Sequence, residues 1–177
     1  TLPPTEAPTR QPSATPLPSE TPFSLFTPTT IPTSPSSGSL PFEIGKAQQF
    51  SEGNDVSLFA CGHMVWKAIE AGKILEEKGI SVEVINIHTI KPLDEEAVLN
   101  SLRKTKCAVT AEEHNIIGGL GDSIAQVAAK NFPIPIEYIG TNDTFGESGK
   151  PMDLLVKYGL DSHHIVAAAE KVLARKK

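Results

Sequence analysis

Short apolar runs alternate with helical patterns along residues 56–173, and that alternation leaves few architectures open. Residues 56–60 are apolar except for Ser57, and Gly62 follows them. Val65, Ile69, Gly72 and Leu75 then fall on one helical face, and Gly79 supplies a stop. Residues 81–87 carry Val82, Val84, Ile85 and Ile87 and read as a second strand. Pro92 and Asp94 open a helix with Glu95 and Glu96 in its first turn, where the helix dipole favours anions. Ala97, Val98 and Leu102 supply its buried side. Residues 107–111 predict a third strand, and the turn at Gly118–Gly121 opens a helix running to about Asn131, with Ile124, Val127 and Ala128 inward. Residues 134–139 predict a fourth strand with Pro135 near its start, a position that suits a strand end. A polar loop over 140–150 precedes a short helix from Met152, closed by Gly159. Asp161 caps a last helix whose Ile165, Ala169, Val172 and Leu173 keep the helical period. Strands alternating with helices in this way build a mainly parallel sheet with helices on both faces, an α/β fold.

Composition divides the chain near residue 42. Residues 1–42 hold most of the prolines, are dense in Thr and Ser, and carry only Glu6, Arg10 and Glu20 as charges. Such a segment has too little apolar surface to offset an ordering entropy of roughly 1–2 kcal/mol per residue. It is expected to be a disordered, partly polyproline-II arm, with a glycosylated stalk or a ligand of proline-binding modules as alternatives. Residues 43–177 have the length of one ordinary domain. The chain opens on Thr1 rather than Met, as a fragment or processed product would. No apolar run is long enough to span a membrane and no basic segment leads into an apolar one, so a cytoplasmic location without membrane attachment is expected. The net charge of −5 argues against nucleic acid as a partner. Cys61 and Cys107 are too few for a disulfide framework and are expected to be reduced.

The chemistry-bearing residues crowd around the third strand. Glu112, Glu113 and His114 end the apolar run, and Gly118, Gly119 and Gly121 follow. Open α/β sheets keep ligand and interface residues at such strand ends. Gly119-Leu-Gly121 is two-thirds of a dinucleotide fingerprint, but Ile124 stands where the third glycine belongs. Two glutamates beside a pyrophosphate site are also the wrong electrostatics. Asp143 follows the next strand, as a ribose-binding acid would. Residues 146–151 fail as a phosphate loop, because Thr144 and Pro151 occupy positions that need glycine and Ser or Thr. Ser148 and Lys150 could still meet a small anion at the following helix. His163 and His164, as neighbours, point about 100° apart on a helix and cannot chelate one metal together. Acid–base work by Glu112, Glu113 and His114 needs a cleft around them; structural or interfacial hydrogen bonding is the simpler role. His63 and His88 read as satisfied strand-end histidines.

Four segments together carry a family resemblance. They are Phe42-Glu-Ile-Gly-Lys, the Val-Ile-Asn-Ile-His-Thr-Ile-Lys-Pro-Leu-Asp run at 84–94, Glu-Glu-His with Gly-Gly-Leu-Gly across 112–121, and Phe-Gly-Glu-Ser-Gly-Lys-Pro-Met-Asp-Leu-Leu at 145–155. Residues 42–177 resemble the C-terminal domain of transketolases, especially those split into two polypeptides, with relatives in deoxyxylulose-phosphate synthases and 2-oxo-acid dehydrogenase β-subunits. The resemblance implies a three-layer α/β/α fold around a five-stranded, mostly parallel sheet with one antiparallel strand. It also implies an enzyme that moves two-carbon ketol units between sugar phosphates, using thiamine pyrophosphate and a divalent metal (Mg). In that family the cofactor lies between a diphosphate-binding and a pyrimidine-binding domain, in a dimeric assembly. Neither is visible here: Gly121-Asp122-Ser123 lacks the last glycine of the Gly-Asp-Gly signature, and the arm stands where the pyrimidine-binding domain should end. No catalytic, cofactor or metal residue is therefore assigned, and the chain is expected to bind no cofactor alone. The surfaces at Glu112–Asp122 and 143–150 would serve assembly. The competing reading is a free-standing anion- or nucleotide-binding module that reuses the fold.

Overall fold

The computed structural model describes residues 42–176, so the arm expected over 1–42 lies outside the described residues except for Phe42. In chain order the elements are β1 (Gln48–Ser51), β2 (Val56–Ala60), α1 (Met64–Glu77), β3 (Val82–Asn86), α2 (Glu95–Thr105) and β4 (Ala108–Asn115). They continue with α3 (Leu120–Asn131), β5 (Ile136–Thr141), α4 (Pro151–Lys157) and α5 (Ser162–Ala174). The sheet runs β1-β3-β2-β4-β5. β3, β2, β4 and β5 run parallel to one another, and β1 pairs antiparallel with β3.

Both faces of the central strands are covered, which is why β2 reads as a continuous buried run. Leu58, Val84 and Val109 meet α1 and α5 through Leu75, Ile165 and Val172. Phe59, Ile85 and Ala108 meet α2 and α3 through Leu102, Ile124 and Val127. Each fully buried large side chain of this kind is worth roughly 1.5–3 kcal/mol. The result is a three-layer α/β/α sandwich.

One polar cluster crosses this core. Ser57 interrupts β2, and its hydroxyl lies 2.6 Å from those of both Ser101 and Thr105 on α2. Ser101 donates to Glu83 of β3 at 2.5 Å, and Lys104 reaches the same carboxylate at 2.5 Å. All of these hydroxyls and the carboxylate are buried. A buried charge is tolerated only when paired and hydrogen-bonded, and Glu83 is both.

Three expectations change. β1 has no counterpart among the strands read from apolar patterning, because Gln48, Gln49 and Ser51 give no alternation; its register against Asn86, Ile85 and Val84 makes it a strand. β4 does not stop at Ala111 but runs to Asn115, carried by pairing with β5 that ends at Asn115 opposite Thr141. β5 starts two residues late, at Ile136, since Pro135 has no N–H to give a ladder; its carbonyl instead accepts from Ala108.

Candidate functional site

The extension of β4 decides the geometry of the strand end. In a strand, consecutive side chains face opposite ways. Glu112 is buried and Glu113 is exposed. The two carboxylates do not form an acid–base pair; each belongs to a different place.

Glu112 belongs to the start of α3. Its Oε2 accepts the Leu120 N–H at 2.7 Å and its Oε1 accepts the Gly121 N–H at 2.9 Å. A helix N-terminus presents unsatisfied N–H groups and a positive dipole end, and here the chain's own carboxylate fills it. The glycines are there for closeness. A Cβ on Gly119 would come 2.0 Å from Glu112 Oε2, and one on Gly121 would come 2.3 Å from the Tyr138 ring. Gly118, at φ +80°, donates to Asp122 Oδ2 at 2.6 Å. The three turn glycines thus lie close against side chains of the chain itself, Gly118 against Asp122, Gly119 against Glu112 and Gly121 against Tyr138. His114 Nδ1 sits 4.0 Å from Glu112 but 2.9 Å from the Asn115 carbonyl, and the ring is mostly exposed.

Asp143 is likewise internal to the loops. It adopts φ +48° and its Oδ1 accepts from Asn115 Nδ2 at 2.9 Å, tying the end of β4 to the loop after β5. Ser148 and Lys150 are exposed, and Lys150 stands at the N-cap of the seven-residue α4 with Pro151 behind it.

Glu113 opens onto a second place, a cleft of about 480 Å³. Leu154, Leu155, Leu160 and Tyr158 line it, together with His63 and Glu113. The loop beside it is stapled to α4. Tyr158 Oη accepts the Glu147 N–H at 3.0 Å and donates to the Phe145 carbonyl at 3.4 Å, and Lys157 pairs with Glu147 at 2.6 Å. Sequence patterning missed Tyr158, whose one visible signal was an aromatic at the end of a short apolar helix. Phe145 is 99% exposed, and Trp66, Ile117, Met152 and Val156 are also exposed. This is a concentration of uncovered apolar surface at the carboxyl ends of the strands.

Burial, reinforced by the Glu112 charge, pushes the Cys61 thiol up to about 11, so its nucleophilic thiolate is scarce. Burial likewise raises Cys107, and both cysteines are free. His88 corrects the expectation of a satisfied histidine: its ring lies 4.5 Å from that of Phe42, and both nitrogens are buried without a hydrogen-bond partner among the described residues. His163 and His164 do not converge, and His164 instead donates from its backbone to the Asp161 cap at 2.9 Å. Among the described residues no His, Cys, Asp and Glu group could hold a metal. The described residues do not fit a thiamine diphosphate–metal group: the N–H groups at the glycine-rich start of α3 are taken by the Glu112 carboxylate, and no cluster of metal ligands is found among these residues.

Residues 45–165 match the model of the family described as transketolase, C-terminal domain. The chain belongs to this family. It is 47% identical over 135 residues to the 6-deoxy-6-sulfo-D-fructose transketolase subunit SqwH of Clostridium sp. (strain MSTE9), covering 76% of this chain and 42% of the relative. It is 40% identical over 129 residues to the 1-deoxy-D-xylulose-5-phosphate synthase of Desulforudis audaxviator (strain MP104C), covering 72% and 20%. Among solved structures, a split gene transketolase described as an inactive beta4 tetramer superposes with a TM-score of 0.76 at 45% identity, covering 81% of this chain and 48% of that one. The chain therefore spans less than half the length of the transketolase relatives it matches. In this transketolase C-terminal domain no helix among the described residues is long and apolar enough to cross a membrane.

Proposed function

We propose that this chain is a non-catalytic C-terminal section of a split transketolase. It works by assembling with a polypeptide that carries the diphosphate- and pyrimidine-binding domains. The assembly, at least dimeric, binds thiamine pyrophosphate and Mg and moves two-carbon ketol units between sugar phosphates in the cytoplasm. The observation that carries this reading is the 47% identity to a transketolase subunit of which the chain spans only 42%. The apolar surface at the strand ends supports it, since a monomer rarely leaves such a cluster uncovered. The likeness to a β4 tetramer supports self-association of this section when its partner is absent. The two free cysteines fit a reducing compartment. The nucleotide-module alternative has the α3 helix start against it, because Glu112 already occupies that position.

The test is reconstitution. The chain is used to capture its partner from source lysate, and the complex is assayed for ketol transfer from a ketose phosphate to an aldose phosphate with thiamine pyrophosphate and Mg. Activity of the complex and none of either part supports the reading. A partner without a diphosphate-binding signature, or a captured complex with no transfer activity, overturns it.

A further inference from the structure

At the amino ends of β4 and β5, the end of the sheet away from the Glu113 cleft, lies a cavity of about 750 Å³. Its charged lining residues are Lys106, Arg175 and Lys176, with no acid among them; Phe132, Pro133 and Ile134 lead its apolar lining. In a chain of net charge −5 this is a local inversion of sign. Lys106 is held at φ +61°, and Asp143 is the other described non-glycine residue in the left-handed region. A helix end favours glycine there, because a Cβ is strained in that conformation. Helix dipoles do not account for the lysine. The C-caps of α2, α3 and α5 all line the cavity, and their last turns carry cations of their own: Arg103 and Lys104, Lys130, and Lys171. Nor do ion pairs account for it. Glu137 engages Arg175 and Lys171, and Lys176 donates to the Asp55 carbonyl at 3.0 Å. Lys106 and Lys176 make no ion pair among the described residues.

We propose that this cavity binds an organic molecule bearing two or more phosphates, with Lys106, Arg175 and Lys176 on the phosphates and the apolar lining against the organic part. The site lies at the far end of the sheet from the apolar surface assigned to assembly above, and it stands without that reading. Two ammonium groups without carboxylate partners call for a ligand with more than one negative charge. Phosphate oxygens take charge-assisted hydrogen bonds from ammonium and guanidinium groups alike. Arg175 reaches both Glu137 and the Ile136 carbonyl through Nη1, and a guanidinium has five N–H donors in all. The volume points past inorganic phosphate, since small-molecule sites span about 300–1,000 Å³. Phe132, Pro133 and Ile134 offer nothing to a bare anion; they suit the ring of a sugar or a base.

The full chain is titrated by calorimetry, with EDTA and at low salt, against ATP, fructose 1,6-bisphosphate and inorganic tripolyphosphate. At least one of the two organic probes is expected to bind saturably with a Kd below about 1 mM. It should bind more tightly than tripolyphosphate, and the tighter of the two separates a nucleotide from a sugar phosphate as the source. Added salt should weaken it, since exposed charges are screened. Lys106→Gly is expected to melt no lower than wild type, because glycine relieves the left-handed backbone. It should nevertheless bind about three-fold more weakly, the scale of one exposed ion pair. Adding Lys176→Gln should bring the loss to about ten-fold, the two effects adding. Lys73→Gln, at an exposed lysine of α1, should change nothing. The site is overturned if neither organic probe binds below about 1 mM, or if tripolyphosphate binds as tightly as both. Unchanged affinity in Lys106→Gly, or an equal loss in Lys73→Gln, overturns it as well. So does a Lys106→Gly chain that melts lower as it loses binding, since the lysine would then be structural.

Discussion

At the scale of single residues, the Glu112–Gly119 contact is the tightest constraint at the strand end. The carboxylate satisfies two buried N–H groups, and Gly119 leaves it no room to spare. Hydrogen bonds to a charged group are each worth about 1.5–3 kcal/mol, and unsatisfied buried donors cost a similar amount. Glu112→Ala is accordingly expected to lower stability by about 3 kcal/mol in urea unfolding, and Glu112→Gln by less, since one oxygen acceptor remains. Gly119→Ala drives a methyl into the carboxylate and is expected to cost about 1–3 kcal/mol. In the double variant Glu112→Ala/Gly119→Ala the clash is gone, so its cost should fall short of the sum by 0.5 kcal/mol or more, about the smallest coupling seen for residues in contact. Additivity would mean that the two residues do not touch. The negative charges beside the glycine turn were legible in the sequence, where they weighed against a pyrophosphate. That one of those carboxylates itself enters the turn was not, because it depends on β4 continuing past Ala111 and so on which face Glu112 takes.

At the scale of elements, the helices follow their written signals. Asp94 caps α2 by accepting from Ala97 at 3.1 Å, and Asp161 caps α5 by accepting from His164 at 2.9 Å. Burial works to raise the Asp161 carboxyl, but the bonds from the His164 backbone and ring and from the His163 backbone together outweigh it and hold it below the usual carboxylate range. A depressed carboxyl stabilises the fold above its unfolded value, about 3.9, and that contribution fades as pH falls through the lower folded value. Asp161→Asn is thus expected to cost roughly 0.5–1 kcal/mol at neutral pH, the worth of a charge at a helix N-terminus, and almost nothing near pH 2. Denaturant midpoints at the two pH values measure it; an unchanged difference would place the effect elsewhere. Apolar periodicity located β2, β3 and α1 to within a residue or two because those elements are buried on the faces that the pattern reports. It failed for β1, an edge strand of glutamines and a serine defined by its backbone ladder, and for the polar end of β4, for the same reason. The Ser57–Ser101–Glu83 cluster was visible only as a flaw in an apolar run, since its members lie on three elements.

At the scale of the whole molecule, the chain is a finished core with an unfinished surface. Isothermal calorimetry of the full chain with thiamine pyrophosphate and Mg is expected to show no binding in the micromolar range; micromolar binding would mean that the described residues omit a site. A chain that begins at residue 42 is expected to melt within a few degrees of the full one, because the layers around the sheet are complete without the arm, and a large drop would show otherwise. The cleft was half legible. Its acidic side lay in Glu113, but the stapling of the 145–147 turn by Tyr158 joins residues whose meeting only the fold brings about. The plugged start of α3 has a further consequence. A side chain on a short tether competes at an effective concentration on the order of millimolar or above. Any free phosphate seeking those N–H groups faces a resident rival that never diffuses away. Metabolite levels will not open that turn; a change at position 112 would.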